Sequence, residues 1–249
     1  MYLPDRTEHQ KIERLYERKD GNVVPGNGFN FNKKHTPPVV YIFNHENFSD
    51  PKLNRSGSSR DVEALRKTFK SLNCRVEVIS NPALSNVKLK VHEWSIKQFN
   101  QEAGFVLCIL SHGWLKNKIF ACDGKEYHLD DDVLYPLFRN PTLTGKPKIL
   151  IVQACKGGLV PDAKKMNCDP YIKCYSTSEG YLSYRDEKMG SVFIQTLCKE
   201  MDKYGLTMDF QSIFKKVKAE VKRICQQNPS EESNNFDEPF CFGNYVQNA

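Results

Sequence analysis

The chain has 249 residues, of which 39% are hydrophobic and 27% charged, and its formal net charge is +6. This composition is typical of a globular protein and excludes collagen-like, low-complexity and disulfide-miniprotein classes. The excess of basic residues is too small to indicate nucleic-acid binding by itself. Residues 1–36 are polar, and 20–32 contain three Gly, so we expect a short flexible segment before the folded domain.

From residue 37 onward, short apolar runs typical of strands alternate with helical patterns. We predict strands at 39–44, 74–80, 105–110, 149–152, 172–175 and 240–246, and helices around 62–72, 87–99, 193–201 and 213–221. The alternation favours a parallel sheet with helices on both faces. We therefore predict one α/β domain over 37–249, a three-layer sandwich whose mostly parallel central sheet has about six strands.

The residues that follow these strands indicate chemistry, because ligands bind beyond the carboxyl ends of parallel strands. His112 and Gly113 follow the run 105–110, and Cys155 follows 149–152. A Cys beside a His supplies a thiolate nucleophile and a proton donor for the leaving group. Neighbouring glycines let backbone N–H groups approach a reacting carbonyl closely.

Two arginines lie in loops at the same predicted edge of the sheet, Arg55 after 39–44 and Arg185 after 172–175. Two guanidinium groups form a rigid, charged fork suited to a carboxylate. Any one of these residues alone has an ordinary structural explanation, and Cys108, inside an apolar strand, is expected in the core. Together they indicate cleavage of an acyl bond next to an acidic group.

The motifs at this edge resemble those of the caspases, cysteine proteases that cut after aspartate. SHG at 111–113 precedes QACKG at 153–157, and His112 lies 43 residues before Cys155, against about 50 in the family signature. The resemblance covers nearly all of 37–246 and includes IFNHENF, NRSG, LTGKPKILIVQACKG, YSTSEGYLSYR and GSVFIQTLC. It implies a caspase/hemoglobinase fold and neither a metal nor an organic cofactor.

The resemblance also implies roles for individual residues. Cys155 would be the nucleophile, His112 the general acid and base, and the backbone N–H groups of Gly113 and Cys155 the oxyanion hole. The implied substrate-binding residues are Arg55, Gln153, Ser183, Tyr184 and Arg185. The implied partners are protein or peptide substrates with Asp at the cleavage site, a second caspase chain in a homodimer or heterodimer, and inhibitor or adaptor proteins.

A zymogen is a further implication of the family. We expect a short prodomain at 1–36, a large-subunit region at about 37–157, a linker at about 158–170 and a small-subunit region at about 171–249. Asp162 is the expected cut site in the linker, because Asp169 precedes a proline that lacks the N–H and the conformational freedom. Asp20 is the expected site for removal of the N-terminal segment.

Some positions depart from the family pattern and leave an alternative open. Tyr184 stands where a Trp is usual, Val192 replaces a frequent second Trp, Lys156 follows the Cys, and 114–117 replace an acidic turn. The leading hypothesis is an active Asp-directed cysteine endopeptidase. The alternative is a caspase-like decoy or regulator that dimerises with active caspases and has little activity of its own.

Other function classes fit the sequence poorly. The basic residues between 215 and 223 lie on the polar side of an amphipathic helix, which is typical of a solvated face, so we expect no nucleic-acid partner. The His and Cys spacings match no metal site. No apolar stretch is long enough for a membrane helix, and nine cysteines without a pairing pattern favour a reducing, cytoplasmic location.

Overall fold

The structure is a computed structural model that describes residues 37–114, 117–155, 171–176, 185–227 and 240–244. A six-stranded sheet occupies its centre in the order β11-β8-β7-β3-β1-β2. Its strands are β1 (Val39–Asn44), β2 (Arg75–Ser80), β3 (Phe105–Leu110), β7 (Lys148–Gln153), β8 (Tyr171–Tyr175) and β11 (Phe240–Asn244). All neighbours pair in parallel except β11, which is antiparallel to β8. The predicted α/β class and mostly parallel sheet are confirmed.

Burial along the strands follows from their place in the sheet. Every residue of β1, β3 and β7 is buried, whereas β2 at the edge alternates between exposed and half-buried positions. Central parallel strands are covered on both faces, which explains their continuous apolar runs. The predicted strands begin and end within one residue of the observed ones, and the last two residues of the prediction 240–246 lie outside the described residues.

Helices and a small sheet cover the two faces. The helices are α1 (Ser58–Ser71), α2 (Leu84–Ile96), α3 (Tyr135–Phe138), α4 (Val192–Tyr204) and α5 (Phe210–Gln227). Side chains of α1, α4 and α5, such as Leu65 and Phe69, pack on Val40 and Ile42 and form what we call the helical face. The opposite face, which we call the hairpin face, is covered by α2 and by three short strands, β4 (Gly113–Trp114), β5 (Lys118–Phe120) and β6 (Glu126–His128).

The described residues also form several short elements that the sequence analysis did not predict. They are β4 (Gly113–Trp114), β5 (Lys118–Phe120), β6 (Glu126–His128), β9 (Arg185–Asp186), β10 (Gly190–Ser191), two 3-10 turns (Pro51–Leu53 and Pro141–Leu143) and a π-helical turn (Leu129–Leu134). Strands of two or three residues are too short to produce a recognisable alternation of apolar and polar residues. In the part of the chain described, no helix has the length and apolar character needed to cross a membrane.

Candidate active site

The register of the central sheet brings the motif-bearing loops together. Asn44 of β1 lies opposite Leu110 of β3, and Leu110 lies opposite Gln153 of β7. The ladder continues past the strand ends, since the Ser111 N–H donates to the Gln153 carbonyl at 3.1 Å. Neighbouring strands are about 4.8 Å apart. His112 and Cys155, each two residues beyond a matched pair, therefore emerge side by side.

Gly113 packs directly against the backbone of Cys155. A Cβ atom added to Gly113 would collide with the Cys155 carbonyl oxygen and would lie 3.0 Å from the Ala154 Cβ. Only glycine permits this approach without displacing one of the two strand ends. The absence of a side chain thus allows the backbones of Gly113 and Cys155 to lie in direct contact.

His112 is oriented by a backbone carbonyl and an aromatic ring. Its Nε2 lies 2.8 Å from the carbonyl oxygen of Leu53, and its ring centroid lies 5.2 Å from that of Phe48. A carbonyl oxygen only accepts hydrogen bonds, so Nε2 carries the proton and donates it. In the neutral imidazole, Nδ1 is then the basic nitrogen. The Leu53 contact could not be predicted from the sequence, because any residue type can offer a backbone carbonyl.

The described thiols differ in accessibility. Five of the seven described cysteines are buried, whereas Cys155 and Cys225 are half-buried. Burial raises the pKa of Cys74 and of Cys198 to about 12, which leaves almost no thiolate at neutral pH. Cys108 is fully buried, as predicted, and burial raises the pKa of its thiol as well. Cys155 is half-buried and follows β7, at the same edge of the sheet at which His112 follows β3.

Arg55 is a buried cation at the same edge of the sheet, with only 1% of its surface exposed. Its Nη1 donates to the His45 carbonyl at 3.1 Å and to the Ser58 Oγ at 2.8 Å. The Ser58 hydroxyl in turn donates to the Asn44 Oδ1 at 2.7 Å, which anchors the loop to the end of β1. Gln153, the last residue of β7, is equally buried. A buried guanidinium held in this way suits a ligand that is negatively charged.

The loop that carries Arg55 packs against the β9–β10 hairpin. Gly57 has φ of +87°, and a Cβ there would lie 2.6 Å from the Asp186 carbonyl and 2.7 Å from that of Glu187. This hairpin begins with Arg185, so the backbone of Arg185 is brought close to the Arg55 loop. The two arginine-bearing segments thus meet on the helical face.

Asp61 of α1 fastens the β9–β10 hairpin in place and was not identified from the sequence. Its Oδ1 accepts the Ser191 N–H and the Gln195 Nε2, both at 2.8 Å. Burial raises the pKa of this carboxyl, and the hydrogen bonds and the Arg55 charge only partly oppose that rise. The contact joins residues far apart in the chain, so no local pattern could have indicated it.

The remaining predicted residues lie outside the described residues. These are Ser183 and Tyr184 in the expected peptide-binding segment, the side chain of Arg185, and the candidate cut sites Asp20 and Asp162. Within the described ranges, no group of three or more His, Cys, Asp or Glu side chains could hold a metal ion.

Comparisons with known proteins identify the family of this chain. The caspase domain family model matches residues 38–241. Caspase-6 of Bos taurus is 32% identical over 219 residues, covering 74% of this chain and 73% of that protein. Caspase-3 of Mesocricetus auratus is 33% identical over 202 residues, covering 74% and 72%. The crystal structure of caspase-1 from Spodoptera frugiperda superimposes with a TM-score of 0.73 and 26% identity, covering 88% of this chain and 90% of that one. The chain belongs to the caspase family of cysteine proteases.

Proposed function

We propose that the chain is a cysteine endopeptidase that cleaves proteins after aspartate, in apoptosis or related signalling proteolysis. The observation that carries this proposal is the contact of Gly113 with Cys155 beside a histidine that Leu53 orients. A half-buried thiol, a basic nitrogen and backbone N–H groups beside the thiol are the parts that acyl transfer through a thioester requires.

In the proposed reaction, the Cys155 thiolate attacks the carbonyl carbon of the peptide bond. The negative charge that forms on the carbonyl oxygen is stabilised by the backbone N–H groups of Gly113 and Cys155. The Nδ1 of His112, which has taken the proton of the Cys155 thiol, gives that proton to the leaving amine, and the C–N bond breaks to leave a thioester on Cys155. Nδ1 then takes a proton from the water that attacks the thioester, and it returns this proton to the sulfur as the acid is released and the thiol is restored.

Specificity for aspartate is assigned to Arg55, Gln153 and Arg185, with Ser183 and Tyr184 along the bound peptide strand. The burial of Arg55 supports this assignment, because a buried guanidinium gains most from a ligand that returns a full negative charge. An uncharged substrate side chain would form a weaker interaction with this guanidinium than a carboxylate does. We expect the pocket to reject Asn strongly for this reason.

The proposal extends to processing and assembly. It includes cleavage of a zymogen after Asp162 in the linker, a second cut after Asp20, and pairing with a second caspase chain in the cytoplasm. Asp162→Ala should prevent cleavage of the linker, and mass spectrometry of the purified chain before and after incubation measures this. An uncleaved Asp162→Ala chain with full activity would refute a requirement for processing.

Peptide hydrolysis by the purified full chain tests the proposed function. A fluorogenic tetrapeptide ending in Asp should be cleaved, and its Asn counterpart should be cleaved about 10⁴-fold more slowly. Cys155→Ala should reduce kcat/KM by about 10⁴-fold or more. Cys225→Ala is the matched control, because this thiol is also half-buried but lies on α5.

The outcomes separate the two hypotheses. Turnover that depends on Cys155 and on the substrate aspartate supports the enzyme. No turnover under conditions in which the chain is dimeric and its linker cut would overturn the proposal and leave the decoy or regulator.

A further inference from the structure

Trp114 occupies an unusual position directly beside the candidate catalytic groups. It is 56% exposed, and it is the residue after Gly113, whose Cα touches the Cys155 backbone. One Cα–Cα step is 3.8 Å, so the Trp114 Cα lies within about 8 Å of the Cys155 carbonyl oxygen. An indole side chain spans most of that distance. Trp114 is thus near enough to contact a peptide bound across Cys155.

The side chain of Trp114 does not belong to the core. In the β4–β5 pair, Gly113 lies opposite Ile119 and Trp114 lies opposite Lys118. Residues directly opposite each other in an antiparallel pair point to the same side of the sheet, and the next pair points to the other side. Ile119 is buried on the hairpin face, so Gly113 points to that side, whereas Trp114 and Lys118 point to the outer side of this small sheet. The exposure of Trp114 agrees with that placement. Packing of the described residues therefore gives no reason for a tryptophan here.

The site has two sides, and Trp114 is on the side away from the arginines. Arg55 and the β9–β10 hairpin lie with α1 on the helical face, whereas β4–β6 cover the hairpin face. Cys155 and His112 lie between them at the edge of the central sheet. A peptide whose aspartate enters the Arg55 pocket must continue away from it after the cleaved bond. In the proposed reaction His112 gives a proton to the amine of that part of the peptide, which places the amine beside His112 and next to β4, which begins at the following residue.

The small sheet that carries Trp114 is firmly held. The Asn117 Nδ2 donates to the Asp130 Oδ2 at 3.2 Å, and the Tyr175 hydroxyl donates to the Asn117 Oδ1 at 3.3 Å. Lys173 of β8 forms an ion pair with Asp130, and both side chains are largely buried. These contacts tie β5 and the turn after β6 to the central sheet. β4 pairs with β5, so Trp114 lies on a strand whose partner is anchored to the central sheet. Such anchoring lowers the entropy cost of binding against it.

We propose that Trp114 binds the substrate side chain that follows the cleaved bond and confers a preference for a large apolar or aromatic residue there. This inference rests on the proposed function of the same site. An aromatic pair contributes about 0.5–1.5 kcal/mol beyond the burial of area, so the preference for Phe over Gly at this position should be about fivefold or more in kcat/KM.

Matched internally quenched peptides test the proposal. The two peptides share one sequence with a single Asp and differ only in the next residue, Phe or Gly. For the unmodified full chain, kcat/KM should favour the Phe peptide. In Trp114→Ser the two peptides should be cleaved equally, with the Gly peptide as fast as before, whereas Trp114→Phe should keep the preference. Ile96→Ser is the control, because Ile96 is 67% exposed on α2, away from the site.

Each outcome decides between the readings. If neither peptide is cleaved, or if cleavage survives Cys155→Ala, the proposed function fails. If both are cleaved and the unmodified chain shows no preference, or the preference persists in Trp114→Ser, the proposed function stands and the inference fails. Equal losses on both peptides in Trp114→Ser would also overturn it, since Trp114 would then only support the catalytic groups. Unchanged cleavage with loss of self-association in Trp114→Ser would assign Trp114 to a contact between copies instead.

Discussion

His45 should make the stability of this protein strongly dependent on pH. The residue is fully buried, its Nε2 lies 3.1 Å from the Tyr127 hydroxyl, and its Nδ1 lies 3.6 Å from the Cys122 Sγ. Burial, and after it the nearby Arg55 charge, lowers the pKa of His45 from 6.5 to about 3, although Asp123 acts in the opposite direction. The folded protein therefore keeps this imidazole neutral through the mildly acidic range.

The sign and size of the effect follow from proton binding in the two states. Between pH 6.5 and about 3 the unfolded chain binds a proton at His45 and the folded chain does not, so acid favours unfolding. The contribution of His45 to the free energy of unfolding is fully present above pH 6.5 and decreases as the pH falls. With this difference in pKa, the contribution of His45 to the free energy of unfolding is about 2 kcal/mol smaller at pH 5 than above pH 6.5.

Urea unfolding at pH 7.5 and at pH 5 measures this loss. His45→Gln removes the titrating group. From pH 7.5 to pH 5, the free energy of unfolding of this variant should therefore decrease less than that of the unmodified chain, and the difference between the two decreases should be about 2 kcal/mol. Other titrating groups are common to both proteins and cancel in the comparison. His92→Gln is the control, because His92 is exposed on α2.

An equal pH dependence in His45→Gln and in the unmodified chain would refute the reasoning. So would an imidazole NMR signal of His45 that titrates near pH 6.5 in the folded protein. The NMR measurement keeps the prediction testable even if the substitution lowers stability at every pH.

Three further predictions concern contacts around the site. Gly113→Ala should lower kcat/KM by about 10²-fold or more, because the added Cβ would collide with the Cys155 carbonyl. Circular dichroism should show an unchanged fold. Unchanged kinetics would contradict this prediction. Asp61→Asn keeps an Oδ1 acceptor without the buried charge. Because the pKa of Asp61 is raised above its ordinary value of 3.8, the contribution of Asp61 to the free energy of unfolding decreases as the pH rises above 3.8. The Asp61→Asn variant should therefore lose less free energy of unfolding between pH 4 and 7 than the unmodified chain. An identical loss for the two proteins in urea unfolding would count against this prediction. Lys173→Met should lower the free energy of unfolding by about 3 kcal/mol, because it leaves Asp130 buried without its cation. Adding Asp130→Asn should recover part of the lost free energy. A double variant that is less stable than Lys173→Met alone would contradict this explanation.

The sequence and the structure agree most closely where the signal is local. The runs 105–110 and 149–152 are continuously apolar, and they are β3 and the middle of β7, each buried on both faces. Helix positions followed from apolar residues spaced at one turn, as in α1, where Leu65 and Phe69 are buried. The helix ends were predicted less well, since α5 extends beyond the predicted 213–221 on both sides.

Short elements were missed because their existence depends on their neighbours. A two-residue strand such as β4 gains its hydrogen bonds from β5 and its position from Cys155, and neither partner is visible in a local pattern. The expected cut sites at Asp20 and Asp162 lie outside the described residues and stay predictions.

The sequence by itself determined which chemical groups are available and that they follow strands of a parallel sheet. Cys155, His112 and Arg55 could be selected as candidates because the chemistry of a side chain follows from its residue type, and the caspase motifs mark the same positions. Only the tertiary structure decided how those groups are held. The carbonyl of Leu53 that orients His112 could belong to any residue type, and Asp61 reaches Ser191 across 130 residues of chain. Backbone groups and long-range contacts acquire their roles from the fold, so no reading of residue types could assign them in advance.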